Sequence, residues 1–181
     1  MRVTGGVLRG RRVEVPGGII RPAMDRMRES VFAILGDLTG LSFLDIFSGS
    51  GIIALEAVSR GANPVEAVEM DRQKRKTLIK NVSIAPFRIE CHFIAAELYI
   101  MRAKRPFDLI FCDPPFPYKY KWELLKSIDA SGLLKKGSRL LLHRPREDNQ
   151  RELIEGGALE RLRRKEPGVY GRSVVEFFTA D

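Results

Sequence analysis

Two short stretches of this chain carry residue types that could do chemistry. The first is Phe111-Cys112-Asp113-Pro114-Pro115-Phe116. Its two prolines remove two backbone donors and stiffen the chain. The Asp113 side chain and the Pro114 carbonyl are thereby left as fixed acceptors, with the aromatic face of Phe116 beside them. Such a corner suits an exocyclic amine on a nucleic-acid base. The lone pair of that amine is delocalised into the ring, which makes it a poor nucleophile. Two acceptors gripping both amine hydrogens favour a pyramidal nitrogen and free the lone pair, and the remaining work is alignment. Phe116 could stack on the base for about 1–3 kcal/mol, after flipping if the base is paired.

The second stretch is Asp45-Ile46-Phe47-Ser48-Gly49-Ser50-Gly51. Gly49 and Gly51 allow a tight turn and close approach of a ligand to the backbone, and a helix start offers free N–H groups. The dinucleotide pattern G-x-G-x-x-G is not complete in this loop. No Lys-Ser/Thr follows Gly51, so it is not a phosphate-gripping loop. Asp45 is poorly suited to phosphate and well suited to a cationic amine. Glu69, eighteen residues after Gly51, stands where an acid typically takes ribose hydroxyls. An adenosine ligand without phosphate, carrying an ammonium and a sulfonium, matches both carboxylates. S-adenosylmethionine is that ligand.

These motifs need strand ends to hold them, and the chain supplies an alternating pattern. Strands are expected over Leu41–Phe47, Pro64–Met70, Arg88–Ala95, Phe107–Cys112 and Arg139–His143. Helices are expected over Asp25–Leu35, Ile52–Arg60, Arg72–Ser83, Trp122–Ala130 and Glu147–Glu155. Leu159–Arg163 and Ser173–Thr179 read as a closing antiparallel pair. The alternation predicts an α/β, Rossmann-like fold with a mostly parallel sheet and an antiparallel C-terminal edge. Residues 1–22 read as a basic β-hairpin extension, β-rich from Val3 to Val15, and 23–181 as the catalytic domain.

Composition sets the surroundings. With 181 residues, 44% hydrophobic and 30% charged, the chain fits one globular domain. No apolar run approaches a membrane span, and the N-terminus lacks an apolar signal core, so a cytoplasmic location is expected. Cys91 and Cys112 have no metal-ligand spacing and read as reduced thiols in or near the core. His92 and His143 read as ordinary solvent-facing or satisfied histidines, and no metal is expected. Five of the eight net positive charges fall between Met1 and Arg28, where seven arginines face two acids. Arginine grips phosphate with paired hydrogen bonds, so this concentration points to a polyanionic partner. Tyr118, Tyr120 and Trp122, interleaved with Lys119 and Lys121, form either a nucleic-acid lip or part of the core.

Taken together, the two motifs resemble the class I amino-methyltransferases that act on nucleic-acid bases. Over nearly its full length the chain resembles the bacterial small-subunit (16S) ribosomal RNA (guanine-N2)-methyltransferases. The resemblance is carried by Arg2-Val3-Thr4-Gly5-Gly6, Arg9-Gly10-Arg11-Arg12, Arg21-Pro22, Asp25-Arg26-Met27-Arg28-Glu29, both motifs, Glu69-Met70-Asp71 and Tyr170-Gly171. It implies that Asp45, Gly49 and Gly51, with Phe47 and Ser50, line the methionine end of S-adenosylmethionine. It further implies Glu69 on the ribose, with Met70 and Ala96 near the adenine. Asp113, Pro114 and Phe116 would form the amine corner. Arg9, Arg11, Arg12, Arg21, Arg26 and Arg28 would meet ribosomal RNA, within the small subunit. Nothing in the sequence requires more than a monomer. The family pattern has an acid before an Ala after the third strand, whereas this chain reads Ala95-Ala96-Glu97. A DNA adenine-N6 or cytosine-N4 methyltransferase and a non-catalytic ribosome-assembly module are the alternatives.

Overall fold

The computed structural model describes residues 1–15, 22–148 and 159–181. Arg21 lies outside the described residues. So does most of the helix expected over Glu147–Glu155, whose described first two residues form a turn and bend. The elements run α1 (Pro22–Leu35), β1 (Phe43–Ile46), α2 (Ile52–Ser59), β2 (Val65–Val68), α3 (Arg75–Val82), β3 (Ile89–His92), α4 (Ala96–Arg102), β4 (Phe107–Cys112), α5 (Lys121–Asp129), β5 (Leu134–Pro145), β6 (Leu162–Arg164), β7 (Gly168–Tyr170) and β8 (Ser173–Ala180).

The sheet order is β3-β2-β1-β4-β5-β8-β6, with β7 also on β8. The first five are parallel, and β8 runs antiparallel to β5, β6 and β7. Parallel strands buried on both faces read as continuous apolar runs, and β1 and β2 are buried at every position. One face packs Phe111, Leu141 and Val175 against α1 and α2 through Val31, Phe32 and Leu55. The other packs Ile46, Cys112 and Leu142 against α5 through Leu125 and Ile128. Cys112 and Trp122 both belong to this second core, and both cysteines are free thiols.

Three departures from the sequence pattern have local causes. Helix α4 was not expected: its seven residues span less than two turns, and Ala95 before it supplies no side-chain cap. Strand β5 begins earlier than Arg139 because Gly137, at φ +82°, and a register shift opposite Phe107 carry it through Lys135-Lys136-Gly137-Ser138. Strand β7 is three residues long and starts on a glycine, too short for alternation to reveal.

The β character expected from Val3 to Val15 reduces to one antiparallel bridge, Arg2 with Arg12. Bends and turns cover Gly5–Gly10, and the segment packs on the main core through Val3, Leu8 and Val13. Its course follows α2. The Leu8 N–H donates to Ser59 Oγ (2.8 Å) at the helix end, while the Glu14 N–H donates to Asn81 Oδ1 (2.9 Å). Asn81 Nδ2 in turn donates to the Ser50 carbonyl (2.8 Å) at the helix start. The segment therefore climbs from the base of the sheet to the Gly-rich loop.

Fully buried Glu56 on α2 anchors that climb. It accepts from the Thr4 N–H (2.7 Å) and hydroxyl (3.1 Å), from Arg28 Nε (3.4 Å) and from Arg60. Arg28 is only 2% exposed and also donates to Asp25 (2.7 Å) and to the Arg2 carbonyl (3.0 Å). This corrects its assignment to RNA: a guanidinium enclosed by two carboxylates and a carbonyl is part of the core. Removing one partner of such a network strands a buried charge, at a cost of about 3–5 kcal/mol. Glu56→Ala is therefore expected to lower the urea midpoint by that free energy with an unchanged slope. Equilibrium unfolding followed by circular dichroism checks this.

Candidate active site

The strand order reverses between β1 and β4, and in open α/β sheets ligands bind outside the carboxyl ends of the strands at such a point. Both motifs stand there. In the parallel register Ile46 pairs with Cys112, and the Asp113 N–H donates to the Ile46 carbonyl (3.1 Å). The Ser48 N–H reaches the Val68 carbonyl (2.9 Å), and the Glu69 N–H reaches that of His92 (3.0 Å). Each strand end is thus tied to its neighbour. Asp45, Glu69 and Asp113 are brought to one rim.

Phe47 leaves β1 with φ +64°, a left-handed conformation that costs a residue with a Cβ about 1–3 kcal/mol. Gly49 and Gly51 follow with φ +57° and +81°. At Gly51 an added Cβ would meet Leu78 Cδ1 at 2.6 Å, so glycine is needed there for packing on α3 as well as for the turn. At Gly49 a Cβ would approach only the Phe47 carbonyl, at 3.9 Å, leaving open space above the loop. Ser50 is buried and contributes its carbonyl to Asn81.

Asp45 is completely buried. Its Oδ2 accepts from the Ser48 hydroxyl (2.5 Å) and the Ala54 N–H (3.2 Å). Its Oδ1 is buried without a hydrogen-bond partner among the described residues. Burial pushes this carboxyl up to about 7, opposed by the Ser48 hydroxyl and reinforced by the charges of Asp113 and Glu69. A buried acceptor left unpaired costs about 1–3 kcal/mol, which a cationic donor at Oδ1 would offset. Glu69 is nearly buried. Its Oε2 accepts from the Gly49 N–H (2.8 Å) and its Oε1 from the Asp71 N–H (2.9 Å), which fixes the carboxylate and leaves a further lone pair on each oxygen. Met70 beside it is 63% exposed, an apolar surface at the rim. Ala96 is buried at the start of α4. Glu97 does not face an adenine-type ligand unengaged: it accepts from the Tyr118 hydroxyl (2.7 Å).

In the second motif Pro114 is buried, while Asp113 keeps a quarter of its side chain exposed. Asp113 Oδ1 lies 2.6 Å from Nδ1 of His143. Oδ2 has no hydrogen-bond partner among the described residues. Phe116 projects at 39% exposure with its ring edge-on to His143, centroids 5.8 Å apart. Lys121, buried at the start of α5, donates to the carbonyls of Phe116 (3.5 Å) and Tyr118 and pairs with Asp148 (2.9 Å). Tyr118 packs on Phe47 (centroids 5.2 Å) and on Tyr120 (5.9 Å), so the two motif loops brace each other. The roles of His143 and Lys121 escape sequence reasoning, since one reads as an ordinary histidine and the other as part of a run of aromatics and lysines. Their only sequence signal is a polar residue within an apolar or capping context.

Among the expected RNA-contacting arginines, Arg9, Arg11, Arg12 and Arg26 are exposed, Arg28 is buried, and Arg21 is outside the described residues. His92 is satisfied by Glu66 (2.7 Å), which Tyr99 (2.6 Å) and Arg105 also engage.

Comparison with known proteins agrees with this arrangement. A family model described as "Conserved hypothetical protein 95" matches residues 1–179. Over 137 residues, 74% of this chain and 69% of the relative, the sequence is 34% identical to ribosomal RNA small subunit methyltransferase D of Escherichia coli K12. It is 30% identical to the putative rRNA methyltransferase YlbH of Bacillus subtilis, over 97% of this chain and 98% of that one. Among solved structures, the putative methyltransferase yhhF of Escherichia coli superposes with a TM-score of 0.85, at 27% identity, covering 100% of this chain and 98% of that one. The chain therefore belongs to the conserved hypothetical protein 95 family of class I methyltransferases, the family of ribosomal RNA small subunit methyltransferase D.

Proposed function

We propose that this protein uses S-adenosylmethionine to methylate the exocyclic N2 amine of a guanine in 16S ribosomal RNA, on the small subunit or an assembly intermediate of it. The observation that carries the reading is a pair of carboxylates at neighbouring strand ends, each with one oxygen unengaged among the described residues. Asp45 Oδ1 is enclosed and Asp113 Oδ2 is accessible. One suits a ligand's fixed cation, the other a target amine that must enter and leave.

The site residues fit the cofactor. The orphaned Asp45 Oδ1 suits its ammonium, and the three neighbouring carboxylates suit a doubly cationic ligand. The open space over Gly49 admits its methionine end. The spare lone pairs of Glu69 suit ribose hydroxyls, and Met70 offers an apolar face for adenine. When bound, S-adenosylmethionine supplies an electrophilic methyl group on a sulfonium sulfur. Asp113 Oδ2 and the Pro114 carbonyl accept the two amine hydrogens and turn the nitrogen lone pair toward that methyl. Phe116 stacks on the base and fixes its plane. The nitrogen that takes this methyl from the sulfonium, leaving a neutral thioether, would carry a surplus proton, which Asp113 Oδ2 would accept and pass on to solvent. Alignment, rather than an early base, supplies most of the acceleration. Arg9, Arg11, Arg12 and Arg26 meet RNA phosphates. Asp113 stands among carboxylates that would repel phosphate, so the basic segment holds the backbone while the corner takes the base.

The defining test offers cofactor with a labelled methyl to undermethylated small-subunit particles, free ribosomal RNA and duplex DNA, followed by digestion to nucleosides. Label in N2-methylguanosine is expected from particles or RNA. Label in methyladenine or methylcytosine from DNA would overturn the reading, as would no transfer to any substrate. In the same assay Asp113→Ala is expected to abolish transfer while cofactor affinity, read by calorimetry, stays within about twofold.

Two further outcomes follow from the electrostatics. Replacing Arg11 and Arg12 together by Ala is expected to weaken RNA binding and to flatten the dependence of log affinity on log salt by about 1–2. Filter binding across a salt series measures this. A carboxyl near 7 is largely protonated in the free protein below that pH, whereas a cationic ligand favours the carboxylate. Cofactor binding at about pH 6 is therefore expected to release a proton, and affinity to rise with pH up to about 7. Calorimetry in buffers of different ionisation enthalpy detects the release, which Asp45→Asn abolishes.

A further inference from the structure

His143 sits where the geometry of the sheet makes it an immediate neighbour of Asp113. Strands β4 and β5 are parallel, with Phe111 opposite Leu141 and Cys112 opposite Leu142. Side chains alternate faces, so two residues beyond the Phe111–Leu141 pair, Asp113 and His143 stand abreast on the same face. The imidazole is 1% exposed, and its Nδ1 is 2.6 Å from Asp113 Oδ1. Two nitrogen and oxygen lone pairs cannot approach that closely without a proton between them, so Nδ1 carries the hydrogen and donates it. The ring is held from behind by β8, where Val175 pairs with His143. One residue further along β5, on the opposite face, Arg144 is locked to buried Glu176 (2.6 Å), which also pairs with Arg164. The edge contact with Phe116 completes the enclosure.

We infer that His143 is a positioning residue for methyl transfer: its Nδ1–H occupies Asp113 Oδ1, fixes the carboxylate plane, and thereby aims Oδ2 at the target amine. This rests on the proposed function. A carboxylate on a strand end rotates about its χ2 with little restraint. Asp113 is partly exposed, so without the imidazole it would sample orientations in which neither oxygen meets the amine. The bond also keeps Oδ1 from competing for the same amine hydrogen, so the second hydrogen is left to the Pro114 carbonyl. His143 does not touch the substrate. It acts only through Asp113 and Phe116.

The test compares three substitutions in the labelled-methyl assay on the intact protein. His143→Leu removes the donor. His143→Gln places its amide N–H near the position of Nε2, away from Asp113. His143→Asn places it near the position of Nδ1 and restores the bond. His143→Leu and His143→Gln are expected to lower kcat on the order of 10²-fold, with KM for RNA and Kd for cofactor within about twofold. His143→Asn is expected to recover to within about fivefold of the wild type. Independently of activity, the wild type is expected to show a downfield, slowly exchanging ring N–H proton by NMR that is absent in Asp113→Ala. Full activity in His143→Leu overturns the positioning role. So does a His143→Asn protein as slow as His143→Leu with the same thermal midpoint, or a wild type lacking the downfield proton. A wild type that transfers no methyl group to RNA overturns the proposed function itself, which separates that failure from a failure of the histidine's role.

Discussion

The hydrogen bond from the Asp113 N–H to the Ile46 carbonyl is the last rung of the β1–β4 ladder, and the site depends on it. It sets the end of β4 level with the end of β1 at the place where the strand order reverses. Beyond it both chains leave the sheet, one through a glycine-rich turn and one through two prolines. Neither departure is regular, so neither loop has a ladder of its own to hold it. Besides the bonds from Val68, Glu69 and Asn81 to the first loop, the two brace each other: Phe47 packs on Tyr118, and Tyr118 reaches across to Glu97 on α4. Lys121 pins the second loop from below by its carbonyls. The strained left-handed Phe47 fits this scheme. A residue with a side chain at that position is tolerated because the ring it carries joins the two loops.

The same rim concentrates negative charge. Burial raises the cost of ionising Asp45 most, and the charges of Asp113 and Glu69 add to it. An empty cluster of this kind is unfavourable by construction. Asp45 and Asp113 are each tied down at one oxygen only, while Glu69 is held at both and keeps a further lone pair on each. Ser48 and Ala54 hold one oxygen of Asp45, Gly49 and Asp71 hold Glu69, and His143 holds one oxygen of Asp113. The sides left open converge on a space suited to cationic and amine groups. Ligand recognition by such a rim follows from charge relief more than from shape, since binding removes a repulsion that folding alone leaves in place.

Much of this was legible in the sequence, for reasons that vary by residue. Strand β4 was read with its true limits because Phe107–Cys112 is an uninterrupted apolar run ended by Asp-Pro-Pro. The corner and the glycine loop were legible because proline and glycine change the backbone in ways no neighbour can undo. Arg28 was misread because composition treats all arginines alike. Only the fold shows that α2 carries a buried Glu56 opposite it. His143 was invisible for a related reason. Its role depends on the register between β4 and β5, and register is a relation between two segments. No local pattern in Leu140-Leu141-Leu142-His143 contains it. Helix α4 and strand β7 were missed because they are too short for periodicity to exceed noise.

The course of the N-terminal segment connects the charge at the two ends of the problem. Under the proposed function, an RNA substrate would bring phosphate to a site lined with carboxylates, and the two would repel. The chain separates the conflicting demands in space by running the arginine-rich segment along the outside of α2. Glu56 and Ser59 fasten it from within, and it reaches the Gly-rich loop through Asn81. Glu56 is therefore more than a stabilising ion pair. By holding Thr4, Arg28 and Arg60 on the buried side, it fixes the path along which Arg9, Arg11 and Arg12 remain exposed. The arginine taken into the core sets the track, and the arginines left outside are free to meet a polyanion. A basic patch built this way is anchored to the same helix whose first turn completes the glycine loop. In the proposed reaction, the distance between a phosphate held by this segment and an amine held at the Asp113 corner would then be set by a rigid element rather than by a flexible tail.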